Sequence, residues 1–248
     1  MQLTVLGCAG TFPGPESPCS GYLLEHEGYR LVVDLGSGAL GSLQRHCGLL
    51  DVDAVYVSHL HADHCIDLVA YSYARRYHPG GIPPQLAVYG PAGMANRICQ
   101  AFDTAPVNGL IDVFRFEEVG VGRLELGPFT LLSARMNHPV ECHGLRVSAG
   151  GRTLAYSGDT AATPVLVELA RGADAFLCEA SWTSDPEPPP GIHLTGTQAG
   201  EHAAQAGVGR MLLTHLMPFT DPMRVVAEAK GAFDGDLELV HCGSSYTI

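Results

Sequence analysis

The sequence predicts an α/β (α+β) chain built from two mixed β-sheets with helices on both outer faces. Three features point there. A hairpin pattern, "GYLLEHEGYRLVVDLG", follows the first strand. A block of consecutive strand-like segments fills the middle. Strand and helix patterns alternate in both halves, which suits sheets that pack on each other and are covered by helices. No linker and no short-period repeat divides the chain, so residues 1–248 are expected to form one domain. Hydrophobic residues make up 46% and charged residues 16%, enough for a large core and unlike a disordered chain.

The elements follow in order. "LTVLG" is a strand, and the hairpin after it turns at Glu27-Gly28. "SGALGSLQRHCG" has helical spacing, "DAVYVSH" is a buried strand, and "CIDLVAYSYARRY" returns to the helical period. "PQLAVYG" is a strand and "PAGMANRICQAF" a helix. The middle strands are "IDVFRF", "GRLELG", "FTLLSARM", "GLRVSA" and "TLAYSGD". Then come "PVLVELARG" (helix), "ADAFLCEA" (strand), "TGTQAGEHAAQAG" (helix), "RMLLTH" (strand), "DPMRVVAEAKGAF" (helix) and "LELVH" (strand). Thr195 with Gln198 three residues on has the form of a capping box, which places His193 just before its helix. Two stretches, "YHPGGIPP" (77–84) and "SWTSDPEPPPGIH" (181–193), hold too much Pro and Gly to be elements. Each borders a segment with chemistry, so each is expected to be a flap over a site.

The formal net charge is −12, and the densest basic spot is Arg75-Arg76. A chain that grips long nucleic acid carries a basic stripe, so the charge favours a small substrate over RNA. Eight cysteines are scattered without a C-x-x-C pair, and "MQLTVLGCAG" has no basic n-region. No apolar run approaches a membrane span. These features imply no membrane partner, a cytoplasmic location and free thiols.

The densest chemistry lies in "SHLHADHCID", where His59, His61, Asp63 and His64 directly follow a buried strand. Two histidines at i and i+2 on extended backbone can converge on one ion. Asp63 and His64 then turn into the next helix and can face a second ion. Imidazole and carboxylate suit Zn²⁺, with Mn²⁺ or Fe²⁺ less selectively.

"SHLHADH" resembles the signature of the metallo-β-lactamase-fold hydrolases, and the resemblance extends over nearly the whole chain. It implies an αββα sandwich. It further implies that His138 in "ARMNHPV", Asp159 in "AYSGDT" and His215 in "RMLLTH" complete a site for two divalent ions. One ion would be held by His59, His61 and His138, and the other by Asp63, His64 and His215, with Asp159 shared. His143 lies five residues beyond His138 and is the alternative ligand; His138 is favoured because it follows a full strand pattern.

True β-lactamases of the best-known class carry Cys where this chain has Asp159, and they are exported. Glyoxalase II-type thioesterases share the ligands. "CEASW" and "GIHLTGTQAGEHAAQAGVGRMLLTHLMP" resemble the tRNase Z-like phosphodiesterase branch, in which a Glu and a His accompany the metal centre. Here these are Glu179 and His193. The long arm with which tRNase Z clamps tRNA has no counterpart in this sequence. The chain is most similar to short bacterial members of the branch, to some of which cyclic-nucleotide phosphodiesterase activity is ascribed. The resemblance therefore implies a metal-dependent phosphodiesterase acting on a small phosphodiester such as 3′,5′-cyclic AMP. His193 would be the proton donor, Glu179 its partner, and Asp63 a second participant in proton transfer. Many relatives are dimers, so a homodimer is expected. The alternatives are a tRNA 3′-end or other RNA-processing nuclease, a thioester or lactone hydrolase, and an idle metal-binding scaffold.

Other residues are left with two readings. Asp34 in "VVDLGSG" either supports the histidine cluster or is a turn carboxylate. Arg75, Arg76, Tyr77 and His78 could meet a phosphate or base, though a solvated helix end is favoured. Trp182, the single Trp, either packs the Pro-rich loop or stacks on a base. Cys65 and Cys142 read as small core residues, and His26, His46, His202 and His241 as surface or structural.

Overall fold

The computed structural model describes residues 1–102 and 110–248. Its first sheet contains β1 (Gln2–Gly7), β2 (Gly21–His26), β3 (Tyr29–Leu35), β4 (Ala54–Tyr56), β5 (Leu86–Gly90), β6 (Phe114–Glu118) and β14 (Ser245–Thr247), in the order β14-β1-β2-β3-β4-β5-β6. The second contains β7 (Gly122–Leu126), β8 (Phe129–Arg135), β9 (His143–Ala149), β10 (Arg152–Tyr156), β11 (Ala175–Glu179), β12 (Arg210–Thr214) and β13 (Asp236–Leu239), in the order β13-β12-β11-β10-β9-β8-β7. Both are mixed: β3 to β6 run parallel, as do β10 to β13, and the remaining pairs are antiparallel.

Strand alternation explains the layering. In β3, Leu31 and Val33 face the other sheet, where they meet Phe129, Leu145, Val147 and Leu177. Val32 and Leu35 face outward onto α1 (Ala39–Leu43), α3 (Asp67–Arg76) and α4 (Met94–Ala101). On the second sheet, Phe176, Cys178, Met211 and Leu213 face outward onto α5 (Pro164–Ala170), α6 (Gly196–Ala206) and α7 (Pro222–Ala232). Each sheet is thus apolar on both faces, as its near-continuous hydrophobic strands require. No helix among the described residues is long and apolar enough to cross a membrane.

Some boundaries differ from expectation. The helical pattern "CIDLVAYSYARRY" is split into α2 (Ala62–Cys65) and α3, broken at Ile66. The strand in "IDVFRF" begins only at Phe114, because Val113 closes a turn back to Leu110 O at 3.2 Å. The hairpin turns at Glu27-Gly28 with both residues at positive φ, 48° and 82°, the left-handed pair that a two-residue hairpin turn needs. β14 has no signature in the sequence; three residues at the end of the chain pair antiparallel with β1 at its start.

The loop 77–84 is not a flap over the histidine cluster. α3 carries the chain away from that cluster, and Tyr71 in α3 donates to Leu49 O, ahead of β4, at the opposite end of the strand. Arg75 is buried rather than solvated. Its guanidinium donates to Pro84 O and lies over the Tyr71 ring, so it fastens the loop to the helix. Arg76 forms a two-pronged pair with Asp112, Nε–Oδ2 2.7 Å and Nη2–Oδ1 2.5 Å.

Candidate metal centre

The candidate residues gather beyond the carboxyl ends of β4, β8, β10, β11 and β12. Open α/β sheets place ligands at this edge because successive loops converge there. His59, His61, Asp63 and His64 follow β4, His138 follows β8, Asp159 follows β10, and His215 follows β12. The sheets are stitched together at the same edge: His143 N donates to Ser58 O at 3.0 Å, and Tyr156 OH to Asp34 Oδ2 at 2.7 Å.

Two groups share one carboxylate. His59, His61, His138 and Asp159 bring their ligand atoms within 4.8 Å of one another, and so do Asp63, His64, Asp159 and His215. Asp159 Oδ2 lies 3.6 Å from His59 Nε2 and 3.4 Å from His215 Nε2, and its Oδ1 lies 3.2 Å from His64 Nε2. Asp63 Oδ2 is 3.7 Å from His64 Nε2 and 3.8 Å from His215 Nε2. Burial opposes a charge on Asp159, but the imidazoles of His215, His64 and His59 outweigh it and hold the carboxyl well below its ordinary pKa. Burial pushes His59, His61 and His138 down, towards the neutral imidazole that can offer a lone pair.

The hydrogen bonds on the far side of each ring decide which nitrogen faces inward. His64 Nδ1 donates to Asp34 Oδ2 at 2.8 Å, and His138 Nδ1 to Ile192 O at 2.9 Å. His215 Nδ1 bonds Ser20 Oγ at 2.7 Å, and His59 Nδ1 bonds Ser58 Oγ at 3.1 Å. His61 is reversed and turns Nδ1 towards His138 Nε2, 3.2 Å away. The inward atoms His59 Nε2, His64 Nε2, His215 Nε2 and Asp159 Oδ1 are buried without a hydrogen-bond partner. An orphaned buried polar atom costs about 1–3 kcal/mol, so four at one point need a common partner. Ring nitrogens with protons fixed on the far side, facing shared carboxylates, fit divalent cations.

The backbone is bent to suit. Among the described residues, the non-glycine positive-φ positions are Thr11 (66°), Glu27 (48°), Asp34 (59°) and His215 (56°), and all but Glu27 touch the cluster. Each left-handed residue of this kind costs about 1–3 kcal/mol, held by the packing around it. Thr11 N donates to Asp63 Oδ2 at 2.8 Å. Gly36 lets the chain pass: a Cβ there would lie 1.8 Å from Asp63 O.

Beside the two groups stand Glu179, at the end of β11, and His193. His193 Nδ1 lies 2.9 Å from Glu179 Oε1 and 3.9 Å from Asp159 Oδ2. Burial works against a charged imidazole, but Glu179 prevails and His193 is pushed up to about 9. Glu179 also accepts from Thr160 N, Ser181 N, Ser181 Oγ and Leu194 N, so the carboxylate ties three loops as well as holding the ring. The capping box of Thr195 and Gln198 is formed, and it sets the chain direction just after His193.

The structure brings together His59, His61, Asp63, His64, His138, Asp159, His215, Glu179 and His193. His143 stays apart from them, bonded to Tyr56 OH (2.9 Å) and Glu141 Oε1 (3.0 Å). Of the two readings of Asp34, the geometry shows the one that supports His64. Trp182 packs its ring 6.0 Å from that of His193. His202 is structural: it accepts from Thr163 N and donates to Gln198 O, joining α5 to α6. Cys65 and Cys142 are buried in the outer-face clusters. Ser20, Ser58 and Thr11 were missed by sequence reasoning. Ser58 stood inside the histidine motif and could have been found there; Ser20 and Thr11 touch residues 195 and 52 positions away.

The beta-lactamase superfamily domain matches residues 29–216. An uncharacterized protein of Mycobacterium tuberculosis is 46% identical over 100% of this chain and 92% of its own length. The crystal structure of the metallo-beta-lactamase fold protein YhfI from Bacillus subtilis superposes with a TM-score of 0.88 at 29% identity, covering 99% of both chains. That of human tRNase Z, short form, gives a TM-score of 0.79 at 20% identity, over 100% of this chain and 99% of the other.

Proposed function

The chain belongs to the beta-lactamase superfamily, and on that premise we propose that it is a dinuclear metal-dependent phosphodiesterase acting on a small phosphodiester, a 3′,5′-cyclic nucleotide such as cyclic AMP. In this proposal His59, His61 and His138 hold one ion, Asp63, His64 and His215 the other, and Asp159 serves both. Zn²⁺ suits the donor set best. Such ions would supply a lowered pKa for water and positive charge opposite the phosphoryl oxygens.

The observation that carries the reading is the pair formed by Glu179 and His193 at the edge of the two groups, 2.9 Å apart. With Nδ1 committed to Glu179, His193 keeps Nε2 for the substrate. A protonated imidazole fixed by a carboxylate is a general acid, and a departing ribose oxygen needs one. His193 gives its Nε2 proton to that oxygen, and Glu179 holds the ring and the charge. Asp63, anchored by Thr11 N, takes part in proton handling on the attacking side. Water adds to phosphorus as the P–O3′ bond breaks, its proton leaving by way of Asp63 while O3′ takes the one from His193, and a cyclic 3′,5′ phosphate opens to a 5′ monophosphate.

The test assays the metal-loaded protein against cyclic AMP, bis-p-nitrophenyl phosphate, a tRNA precursor and a thioester, with and without chelator. Chelator-sensitive hydrolysis of the small diesters is expected, and His193→Ala should cut turnover about 10²–10⁴-fold at unchanged metal content. Preferential cleavage of the tRNA precursor or the thioester would replace this reading with a nuclease or a thioesterase. Turnover unchanged by His193→Ala would remove His193 from the mechanism.

A further inference from the structure

A cavity of about 550 Å³ opens beside His193 between the Pro-rich loop and α6. That size falls in the range of roughly 300–1,000 Å³ usual for small-molecule sites. Its polar lining includes Asn137, Ser184, Glu187, His193, Gln198 and Glu201. None of its lining residues is Lys or Arg. Glu187 and Glu201 are exposed, and neither is in an ion pair among the described residues. His193 reaches Glu179 through Nδ1, so the nitrogen left for proton donation belongs to the residue that also lines this cavity.

We infer that this cavity receives the leaving-group half of the substrate, and that Glu187 and Glu201 restrict it to an uncharged moiety such as a nucleoside without a further phosphate. The inference rests on the phosphodiesterase reading. The atom that takes the proton must lie at His193, so the group bearing that atom extends into the space beside it. A phosphate there would face two carboxylates, with no Lys or Arg to offset them and the one imidazolium, His193, already paired with Glu179. The side-chain amide of Asn137 offers hydrogen bonds to an uncharged polar group instead. The excluded class is any polymer or bisphosphate whose leaving half carries its own phosphate. The selectivity thus comes from repulsion by the wall rather than from added attraction.

The experiment measures binding, so that it does not depend on turnover. Adenosine 5′-monophosphate and adenosine 3′,5′-bisphosphate each offer one phosphate to the metal centre; the second carries another phosphate into the cavity. Their dissociation constants are measured by calorimetry on the metal-loaded protein at about 10–20 mM ionic strength, where screening is weak. The monophosphate is expected to bind tighter by about tenfold or more. In a Glu187→Lys/Glu201→Lys variant the order should reverse, and in the corresponding Gln variant the difference should shrink. Equal affinities in the native protein, or a ratio that neither variant moves, would overturn the inference. If the ratio behaves as expected but no phosphodiester is hydrolysed, the cavity assignment stands and the phosphodiesterase reading falls.

Discussion

Replacing Asp34 with Asn separates the support of the candidate metal site from the ligands themselves. Asp34 is fully buried, with φ at 59°. Asn tolerates left-handed backbone and has nearly the same shape, so the fold should persist. Asp34 Oδ1 accepts from Ser58 N at 2.6 Å, and Oδ2 accepts from Ser58 Oγ (2.8 Å), His64 Nδ1 (2.8 Å) and Tyr156 OH (2.7 Å). In the Asp34→Asn variant the amide oxygen would stay on Ser58 N and the NH₂ would take the place of Oδ2. The two hydroxyls can rotate and accept from it. His64 can accept only if its proton moves from Nδ1 to Nε2, the atom that must offer a lone pair inward. If the proton stays, two buried donors face each other at a cost of about 1–3 kcal/mol. Either outcome weakens the ion on the His64 side. Losing such an outer partner typically lowers metal affinity about 10–100-fold, or ~1.4–2.8 kcal/mol. The assay is equilibrium competition with a graded chelator, with bound metal counted by mass spectrometry. One ion should be released at about 10–100-fold lower chelator strength than in the native protein, and the other should be little changed. If the Asp34→Asn protein keeps both ions at native affinity, the tautomer of His64 is not set by Asp34.

Three other outcomes follow from the same geometry. Gly36→Ala puts a Cβ 1.8 Å from Asp63 O, so it should lower stability by about 1–3 kcal/mol or more in urea unfolding and shift Asp63; a native melting profile would show that the contact relaxes freely. Glu179→Gln should lower kcat with KM nearly constant, because the neutral amide no longer holds the charge on the His193 ring while the ligand groups stay in place; a rise in KM alone would reassign Glu179 to substrate binding. The hydrogen bonds from Arg76 hold the Asp112 carboxyl below its ordinary pKa, so the pair stabilises the fold above the unfolded value of about 3.9 and loses that contribution as pH falls through the folded value. Both partners are partly exposed, which limits the effect to about 1 kcal/mol or less. Asp112→Asn should therefore narrow the stability gap to the native protein as pH drops below about 4, and a gap that widens on acidification would contradict it.

The sequence made the layered fold legible because strand and helix periods alternate cleanly and the strands are apolar on both faces. β14 was hidden, since a short segment such as "SYT" declares itself only through its partner at the other end of the chain. The histidine motif after β4 and the Ser-Gly-Asp turn carrying Asp159 were legible because their polar density has no structural purpose at a buried strand end. The supports were not. Asp34, Ser20 and Ile192 O matter through atoms brought close only by the packing of the two sheets. Arg75 misled because two adjacent arginines at a helix end look solvated, whereas one of them turns back to cap the loop that follows. The Pro-rich loop 181–193 borders the cavity at His193, as its place beside the site motif suggests, while its counterpart at 77–84 lies at the far end of α3.

The central claim is that seven side chains from four strand ends hold two divalent ions around Asp159. A crystal of metal-loaded protein, with anomalous data collected at the metal absorption edge, tests it most directly. Two peaks per chain are expected, one among His59, His61 and His138, the other among Asp63, His64 and His215, with the Asp159 carboxylate touching both. A single peak, or peaks bound elsewhere while these side chains remain unliganded, would contradict it.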